Sequence, residues 1–400
     1  RKAADLVCRV YLDTERRLLE AGSDEMNLAI IHGLGMLYRR TEQPRYLQMM
    51  REIEKDWEQA GDYFRTGLAG VDFYQTPRPR WESLHDLQGL VELYRITKDV
   101  RYRTAFLNHW SSIRRWDRRN TGGFSSGEQA TGNPYEATVI ETCCTIAWMA
   151  LTVDALRLSG DPLVADELEL STYNAMLGAQ HPSGSWWTYN TPMNGVREAS
   201  HDTIVFQSRA GTPDLNCCSV NAPRGLGMLS EWAVMRTPGQ LVINYLGPMT
   251  AQLKLSDEMP ITIEQRTTYP LDGKIQIELR PPKPVLFELK VRIPGWAKSA
   301  RFQLDDEQPS AVAGGQYLSI TRQWKVGDTL QLVIDMPLRH AIGDNEMANK
   351  VSVYRGPLLL AYDFLQNKSQ AKEPPVLTTS SLLKARLSKP ARMSGGEAVG

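Results

Sequence analysis

The sequence predicts a multidomain protein with a helical domain followed by an all-β domain. Apolar residues recur at helical spacing in the first part of the chain, as at Leu6, Val7 and Val10. After Thr237 the pattern changes to short alternating segments separated by turns, which is typical of strands. Together with an internal repeat, these patterns predict the C-terminal portion of an (α/α) barrel over residues 1–236, a β-sandwich over 237–365 and a linker or truncated tail over 366–400.

The internal repeat indicates the kind of helical fold. The segment LYRRT at 37–41 returns as LYRIT at 93–97, and in both places a second helix is predicted to start within a few residues. Repeated helical hairpins form α-solenoids or closed toroids. The two copies lie further apart than the roughly 34–47 residues of common helical solenoids, and long loops intervene. We therefore expect a toroid, the (α/α) barrel, with functional residues in its loops.

Individual helices follow from the apolar spacing and from N-terminal signals. Thr142 is a candidate N-cap for a helix that contains a pair of cysteines. Residues 61–80, 121–137 and 180–216 are predicted loops because they are rich in Gly, Pro and aromatic residues. The predicted helices cover residues 26–40, 44–60, 81–97, 100–116, 142–158, 162–179 and 222–234.

The second part of the chain is predicted to be strands. Turns at residues 271–273 and 326–328, each with adjacent Asp and Gly, predict two hairpins. The predicted strands cover residues 241–245, 250–255, 261–267, 274–279, 286–293, 317–320, 329–334, 350–354 and 358–362.

Composition limits the classes of partner. The 400 residues contain 46 Lys and Arg against 46 Asp and Glu, so no net charge attracts nucleic acid or an anionic membrane surface. No stretch approaches 18 uninterrupted apolar residues, which argues against a transmembrane helix. Because the chain opens at Arg1 in a helical pattern, we expect the barrel to be partial and truncated at its N-terminus. A signal peptide therefore cannot be judged, and the localisation stays unknown.

Four of the five cysteines form two adjacent pairs, Cys143-Cys144 and Cys217-Cys218. A disulfide within a pair is disfavoured because neighbouring Cα atoms are about 3.8 Å apart, whereas disulfides need at least about 4.4 Å. A bridge between the pairs stays open, as does a role for all four as small buried apolar residues. Zinc prefers thiolate and carboxylate ligands, so Glu141, Cys143, Cys217 and Cys218 could supply one tetrahedral set.

The loops carry the other candidate functional residues. Glu128 follows a Gly/Ser-rich loop, and a carboxyl group in a partly apolar pocket can stay protonated near neutral pH and act as a general acid. A solvated loop glutamate is the alternative. Trp187 and Tyr189 suggest a wall on which a sugar could stack, with buried loop anchors as the alternative. A lone helical histidine such as His85 is more often structural.

The candidate residues together resemble glycoside hydrolase family 127, the β-L-arabinofuranosidases, and the related family 146. The resemblance extends from about residue 26 to 363. The matching motifs are Gly127-Glu128, Glu141-Thr142-Cys143, Cys217-Cys218 followed by Asn221 and Arg224, Arg292-Ile293-Pro294-Gly295-Trp296, and Arg355-Gly356-Pro357.

The resemblance implies a retaining exo-glycosidase that acts on plant or microbial glycans. It implies a zinc ion held by Glu141, Cys143, Cys217 and Cys218, with Cys217 also serving as the nucleophile. Glu128 matches the acid/base glutamate of the family. His85 and Tyr189 match substrate contacts, and Trp187 is the third substrate-binding candidate.

Two departures from the family pattern leave the sugar open. Ser219-Val220 follows the second cysteine pair where the family often has Pro-Pro, and the interval from Glu128 to Glu141 is shorter. One alternative keeps the mechanism and changes the sugar to another pentofuranoside or an acidic deoxysugar of pectin. Another is a non-catalytic carbohydrate-binding relative with a structural zinc. The expected partner is a glycan, with no nucleic acid and no membrane, and a homodimer remains open.

Overall fold

The computed structural model describes residues 1–125, 127–181, 184, 186–193, 217–256, 259–362 and 376–378. The chain divides into two compact units, Arg1–Ser159 with Thr188–Ala222, and Gly160–Trp187 with Pro223–Gly400. The structure confirms the predicted order of a helical region followed by sheets. The domain limits at residues 236 and 365 stay predictions. The predicted tail, 366–400, lies outside the described residues except for 376–378.

The helices agree with most of the predicted ranges. The first exception is residues 61–80, where a helix stands in the predicted loop. At residues 171–179 the predicted α-helix gives way to a π-helix and a 3₁₀-helix. The single helices predicted at 26–40 and 222–234 are each divided into two, and residue 234 begins a strand. None of the described helices is both long and apolar enough to cross a bilayer. The α-helices are α1 (Lys2–Tyr11), α2 (Asp24–Leu28), α3 (Ile30–Thr41), α4 (Pro44–Asp56), α5 (Tyr63–Ala69), α6 (Ser83–Thr97), α7 (Val100–Trp116), α8 (Thr142–Ser159), α9 (Pro162–Leu170), α10 (Cys217–Asn221), α11 (Pro223–Gly227) and α12 (Leu229–Trp232).

The repeat seen in the sequence is a repeated helical hairpin in the first unit. Helices α3 and α6 each end on a threonine, Thr41 and Thr97, whose hydroxyl donates to the carbonyl four residues earlier. The next residues, Glu42 and Lys98, adopt left-handed conformations with φ of 54° and 63°. A left-handed residue after the last helical turn ends a helix, so the two copies turn in the same way into α4 and α7.

Two glycines allow α3 and α6 to approach each other closely. A Cβ atom at Gly35 would overlap the side chain of Glu92, and one at Gly89 would overlap Ile31. Helix α6 also packs against α7 and α8. Every residue of α8 from Thr142 to Leu156 is buried, as expected of a helix that is apolar on all sides. The N-terminus of α8 therefore lies inside the first unit.

The loop between α7 and α8 is held by buried polar groups. The Asp117 carboxylate accepts hydrogen bonds from the amides of Thr131 and Gly132, each at 2.9 Å. Burial raises the pKa of Asp117 to about 6. The buried guanidinium of Arg119 donates to the carbonyl of Glu136. These bonds fix both sides of the segment that carries Glu128.

The strands are β1 (Ile140–Glu141), β2 (Asn190–Thr191), β3 (Val234–Thr237), β4 (Gln240–Ile243), β5 (Met249–Ser256), β6 (Met259–Thr267), β7 (Lys274–Arg280), β8 (Val285–Ile293), β9 (Ala300–Leu304), β10 (Ser310–Val312), β11 (Gln316–Trp324), β12 (Asp328–Ile334), β13 (Leu338–Ile342), β14 (Val351–Arg355) and β15 (Leu358–Leu359). Within the described part of the chain, the second unit has sheets of six strands (β10-β9-β12-β7-β6-β5), four strands (β11-β8-β4-β3) and three strands (β13-β14-β15). The six-stranded and four-stranded sheets contribute to one core, which includes Ile277 and Leu332 from the first and Leu289 and Val291 from the second.

One of the two predicted hairpins is wrong. The turn at residues 271–273 joins the antiparallel neighbours β6 and β7, as predicted. The turn at residues 326–328 instead leads from β11 in the four-stranded sheet to β12 in the six-stranded sheet. The Asp328 carboxylate accepts from the amide of Lys325 at 2.9 Å and closes the turn locally. A turn sequence fixes this local geometry but not whether its two strands pair.

A buried ionic network also lies in the second unit. The fully buried guanidinium of Arg292 forms ion pairs with Asp166 and Glu169. The Glu169 carboxylate also accepts from the hydroxyl of Tyr269 at 2.6 Å and from the indole nitrogen of Trp296 at 3.1 Å. The Arg292–Trp296 motif of the family resemblance therefore takes part in a closed set of structural hydrogen bonds.

Candidate metal and catalytic site

Four acidic side chains from two distant parts of the first unit meet at one point. One carboxylate oxygen of Glu141 and the sulfur atoms of Cys143, Cys217 and Cys218 all lie within 4.8 Å of one another. The Cys143 sulfur is 3.3 Å from that of Cys218 and 3.8 Å from that of Cys217. The Cys218 sulfur is 3.8 Å from Glu141 Oε1. Three of the four residues are buried, and Cys217 is exposed.

A short strand places Glu141 outside the helix that carries Cys143. Glu141 pairs with Asn190 across β1 and β2, and α8 begins at Thr142. The Thr142 amide donates to the carbonyl of Tyr189 at 2.9 Å. Its hydroxyl donates to the carbonyl of Thr188 at 2.8 Å. The predicted N-cap role of Thr142 is therefore wrong, because Thr142 is the first helical residue and its side chain bonds to Thr188, just before β2.

The second cysteine pair begins the short helix α10. The amide of Cys143, in the first turn of α8, lies 3.3 Å from the Cys218 sulfur and donates to it. All five cysteines are free thiols, so the disulfides left open by the sequence do not form in this structure. Cys144 is fully buried and donates to Glu141 Oε2 at 3.3 Å. Cys144 therefore contacts Glu141 but is not one of the four candidate metal ligands.

The environment concentrates negative charge on the exposed sulfur. Hydrogen bonds from Cys143 and Cys218 lower the pKa of Cys217 to about 3, and Tyr189 adds a further hydrogen bond. The same contact with Cys217 raises the pKa of Cys143 to about 12. Burial, followed by the nearby charge of Glu128, raises the pKa of Glu141 to about 8. Among the three thiols, Cys217 therefore ionises first.

The chemistry of the four groups fits a bound cation. All four become anions when they ionise, and no basic side chain among the described residues forms an ion pair with Glu141. A buried charge needs a counter-charge or a metal ion. Three thiolates and one carboxylate are a ligand set that zinc accepts in four-coordinate sites. The residues present are therefore suited to hold a metal ion.

Glu128 is held by two polar contacts. Its Oε2 atom is 2.7 Å from the Arg80 guanidinium, and its Oε1 atom accepts from the Tyr189 hydroxyl at 3.3 Å. The backbone of Glu128 has φ of 70°, a left-handed conformation that is costly for a residue with a Cβ atom. The amide of Trp81 donates to the Glu128 carbonyl at 3.2 Å and secures this conformation.

Tyr189 lies between the carboxylate and the thiol. Its ring is buried, and its hydroxyl reaches both Glu128 and the Cys217 sulfur. Burial, together with the negative groups around it, raises the pKa of Tyr189. The phenol is therefore neutral and acts as a hydrogen-bond donor. Trp187, also buried, belongs to the second unit. There its backbone pairs with that of Gln180 in an isolated antiparallel β-bridge. Its predicted substrate role stays a prediction.

His85 lies near the start of α6, beside residues that the sequence did not single out. Its ring stacks on His32 at 6.3 Å between centroids and meets the edge of Trp81 at 6.2 Å. Trp81 in turn packs against Cys143, Tyr189 and Cys218. Arg80 and Trp81 were missed by sequence reasoning. Their place directly before a helix that carries a candidate histidine is the signal that could have identified them.

Comparison with known families gives two matches. A family model described as the β-L-arabinofuranosidase, GH127 catalytic domain matches residues 2–231, and one for the GH127 middle domain matches residues 240–336. The chain is 23% identical over 251 residues to a non-reducing end β-L-arabinofuranosidase of Bifidobacterium longum subsp. longum. That match covers 58% of this chain and 37% of the bifidobacterial protein, so the chain spans well under half of that relative.

Solved structures show the same fold. A structure titled glycoside hydrolase superposes with a TM-score of 0.74 at 24% identity, covering 90% of this chain and 64% of that one. A GH127 β-L-arabinofuranosidase from Geobacillus stearothermophilus T6 gives a TM-score of 0.66 at 21% identity, covering 90% and 61%. At these identities the likeness is one of fold.

Proposed function

The chain belongs to the GH127 family, whose catalytic-domain model matches more than half of it, and from that premise we propose that it is a retaining exo-glycosidase with a cysteine nucleophile. The proposed substrate is a β-L-arabinofuranoside at the non-reducing end of a glycan. The proposed catalytic residues are Cys217 as nucleophile and Glu128 as acid/base. We further propose that the helical region has an (α/α)-barrel arrangement and that the two sheets with a common core form a β-sandwich.

The observation that supports this proposal most strongly is the exposure of one donor in the acidic group. Glu141, Cys143 and Cys218 are buried, whereas Cys217 reaches solvent. Four protein ligands are typical of a structural zinc site, but a nucleophile has to reach its substrate, and of these four side chains only that of Cys217 is exposed. We propose zinc as the metal, held by Glu141, Cys143, Cys217 and Cys218. When bound, zinc keeps cysteine ligands deprotonated.

The first chemical step is nucleophilic substitution at the anomeric carbon. The Cys217 sulfur forms a bond to this carbon while the bond to the leaving oxygen breaks, and Glu128, protonated in the enzyme–substrate complex, donates its proton to that oxygen. In the second step Glu128 takes a proton from water, the water oxygen bonds to the anomeric carbon, and the sulfur leaves as a thiolate. Two displacements at the same carbon retain its configuration.

The Tyr189 hydroxyl can donate its hydrogen to a different acceptor in each of these two steps. A phenol has one hydrogen to donate, and the Tyr189 hydroxyl reaches both Cys217 and Glu128. Before attack the sulfur carries the negative charge and is the better acceptor. After attack the sulfur is neutral and Glu128 is a carboxylate, which then becomes the better acceptor. We propose His85 as an additional contact to the sugar, and the substrate-binding role of Trp187 stays a prediction from the sequence.

An adduct experiment tests the nucleophile and the acid/base residue together. In a Glu128→Ala variant, 4-nitrophenyl β-L-arabinofuranoside still reacts because nitrophenol leaves without protonation, but water is no longer activated. We expect intact-protein mass spectrometry to detect one anhydro-pentose unit on a peptide containing Cys217. The double variant Glu128→Ala, Cys217→Ser is the control and should carry no sugar. Modification of another residue, or none with several aryl furanosides and pyranosides, would contradict the proposal.

Two alternatives give different results in the same experiment. If the sugar differs, an adduct appears only with another aryl glycoside of the panel, for example another pentofuranoside or an acidic deoxysugar. If the protein is a carbohydrate-binding relative with a structural metal, no glycoside gives an adduct although the metal is present.

A further inference from the structure

A buried chain of hydrogen bonds leads from the core of the first unit to His85. We propose that Gln88 and Asp154 are positioning residues that hold a hydrogen on Nδ1 of His85, so that Nε2 is the acceptor of the neutral ring. The sugar contact of His85 rests on the proposed function, but the position of its hydrogen does not.

Asp154, on α8, determines which groups donate and which accept along this chain of hydrogen bonds. One carboxylate oxygen accepts from the Arg95 guanidinium at 2.8 Å, and the other accepts from the side-chain nitrogen of Gln88 at 2.9 Å. Asp154 and Gln88 are both at least 96% buried. Because a carboxylate offers only acceptors, the amide nitrogen of Gln88, and not its oxygen, must face Asp154.

The orientation of Gln88 then determines which ring nitrogen of His85 carries hydrogen. With its nitrogen turned to Asp154, Gln88 presents its oxygen to Nδ1 of His85 at 3.0 Å. His85 and Gln88 are three residues apart on α6 and so lie on one face of the helix. A carbonyl oxygen only accepts, so Nδ1 must donate. The hydrogen bond made by one ring nitrogen fixes the tautomer of the other.

The consequence concerns what His85 can recognise. Its ring meets the edge of Trp81, which packs against Cys143 and Cys218. These two belong to the cluster of Glu141, Cys143, Cys217 and Cys218, which we call the thiol group. A neutral ring with hydrogen on Nδ1 can accept a hydrogen bond at Nε2 but cannot donate one there. Where Nε2 is the atom that contacts the sugar, His85 would select a hydroxyl group that donates, and a sugar that lacks this hydroxyl should bind less well.

A conservative substitution reverses the donor and acceptor roles along this chain of hydrogen bonds. In Asp154→Asn the oxygen is retained by Arg95, so the new amide turns its nitrogen toward Gln88. Gln88 must then rotate to accept, and its own nitrogen faces Nδ1 of His85. The hydrogen of the ring should move to Nε2. The packing changes little because the two side chains have the same shape.

Two-bond ¹H–¹⁵N spectra of protein labelled at histidine report this directly, since the two tautomers give different nitrogen shifts. The His85 signals are assigned by their loss in His85→Gln. We expect the Nδ1–H pattern in the wild type and the Nε2–H pattern in Asp154→Asn. If Asp154→Asn does not fold, Gln88→Met serves instead, because it removes the acceptor and leaves Nε2–H, the form preferred by free histidine.

Glu92→Gln is the matched control. Glu92 is buried in the same network and contacts Arg95 at 2.6 Å, but its contacts do not include Gln88. This variant should keep the wild-type Nδ1–H pattern. A wild type with Nε2–H, or an Asp154→Asn spectrum like that of the wild type, would overturn the proposal.

Kinetics separate positioning from a general structural role. With 4-nitrophenyl β-L-arabinofuranoside, we expect Asp154→Asn to raise KM about tenfold, the effect of one mismatched hydrogen bond, while kcat changes little. Glu92→Gln should leave KM unchanged. A shifted tautomer with an unchanged KM would overturn the contact between His85 and the sugar. Hydrolysis absent in every variant, with the tautomer shift present, would overturn the proposed function and leave the positioning role supported.

Discussion

The thiol group of the first unit and the Arg292 network of the second unit are both buried clusters of ionisable side chains, but they balance charge differently. In the second unit, the guanidinium of Arg292 forms ion pairs with Asp166 and Glu169. Neutral donors such as the Tyr269 hydroxyl supply further hydrogen bonds to the Glu169 carboxylate. In the first unit, Glu141 and three cysteines are all acids. The Arg292 network contains its own counter-charge, whereas the group of Glu141 and three cysteines lacks one among the described residues.

The difference separates a structural cluster from a candidate functional site. Removing charges from water is costly unless opposite charges and hydrogen bonds replace the solvent. The Arg292 network meets this requirement within the protein, so no ligand is needed to explain it. The thiol group meets it only if its acids stay protonated or if a cation is added. A buried cluster of one sign is thus the more informative feature for function.

The largest expected effect is the loss of turnover when Cys217 of the thiol group is replaced. Cys217→Ser replaces the proposed nucleophile with a hydroxyl that stays protonated, so kcat/KM for an aryl glycoside should fall by about 10⁴-fold or more. Cys8→Ser is the control, because Cys8 is a buried cysteine outside the group. It should keep wild-type kinetics. Substantial turnover by Cys217→Ser would place the chemistry elsewhere.

A substitution at Arg292 tests the structural side of the comparison. Arg292→Met leaves Asp166 and Glu169 buried without their cation, so the free energy of unfolding should decrease by about 3–5 kcal/mol. Denaturant unfolding measures this change. Arg292→Lys keeps the charge but loses the forked geometry, and its loss should be smaller. Equal stability of Arg292→Met and wild type would show that the network contributes little.

A third buried ionisable group, His109, is neutral in the folded protein and should make stability depend on pH. His109 is fully buried, and its Nε2 donates to the carbonyl of Tyr63 at 2.8 Å. Burial lowers its pKa from 6.5 to about 4. The unfolded chain therefore binds the extra proton between these values, so this contribution to stability is intact above pH 6.5 and is lost as the pH falls to about 4. The loss should reach about 3 kcal/mol.

The pH dependence is measured by unfolding wild type and His109→Gln between about pH 7 and about pH 4, which are roughly the limits of the titration. The variant should show a flatter profile because glutamine does not titrate. His340→Gln changes an exposed histidine and should follow the wild type. Parallel profiles for wild type and His109→Gln would show that His109 does not titrate in this range.

Local patterns allowed much of the fold to be predicted. Helical periodicity, the repeated LYR segment and strand alternation correspond to α3–α4, α6–α7 and the sheets. Helix α5 was missed because Gly and aromatic residues gave its segment the character of a loop. The wrong hairpin at residues 326–328 has a different cause, since strand pairing depends on contacts far along the chain.

The candidate site was predictable only where chemistry was concentrated in short motifs. The paired cysteines and Glu141 are recognisable in the sequence because zinc accepts thiolate and carboxylate ligands. Arg80 carries no such signal, and its importance appears only when its guanidinium is found 2.7 Å from Glu128. The same holds for Gln88 and Asp154, which lie 66 residues apart and form one hydrogen bond.

Metal analysis of purified, reduced protein tests most directly whether the acidic group is a metal site. Because a cluster of one sign needs a cation, we expect about one zinc ion per chain in the wild type. Cys218→Ala should lose the metal, whereas Arg292→Lys, in the cluster that holds its own counter-charge, should retain it. Metal-free wild-type protein that still hydrolyses an aryl glycoside would contradict the proposed zinc site.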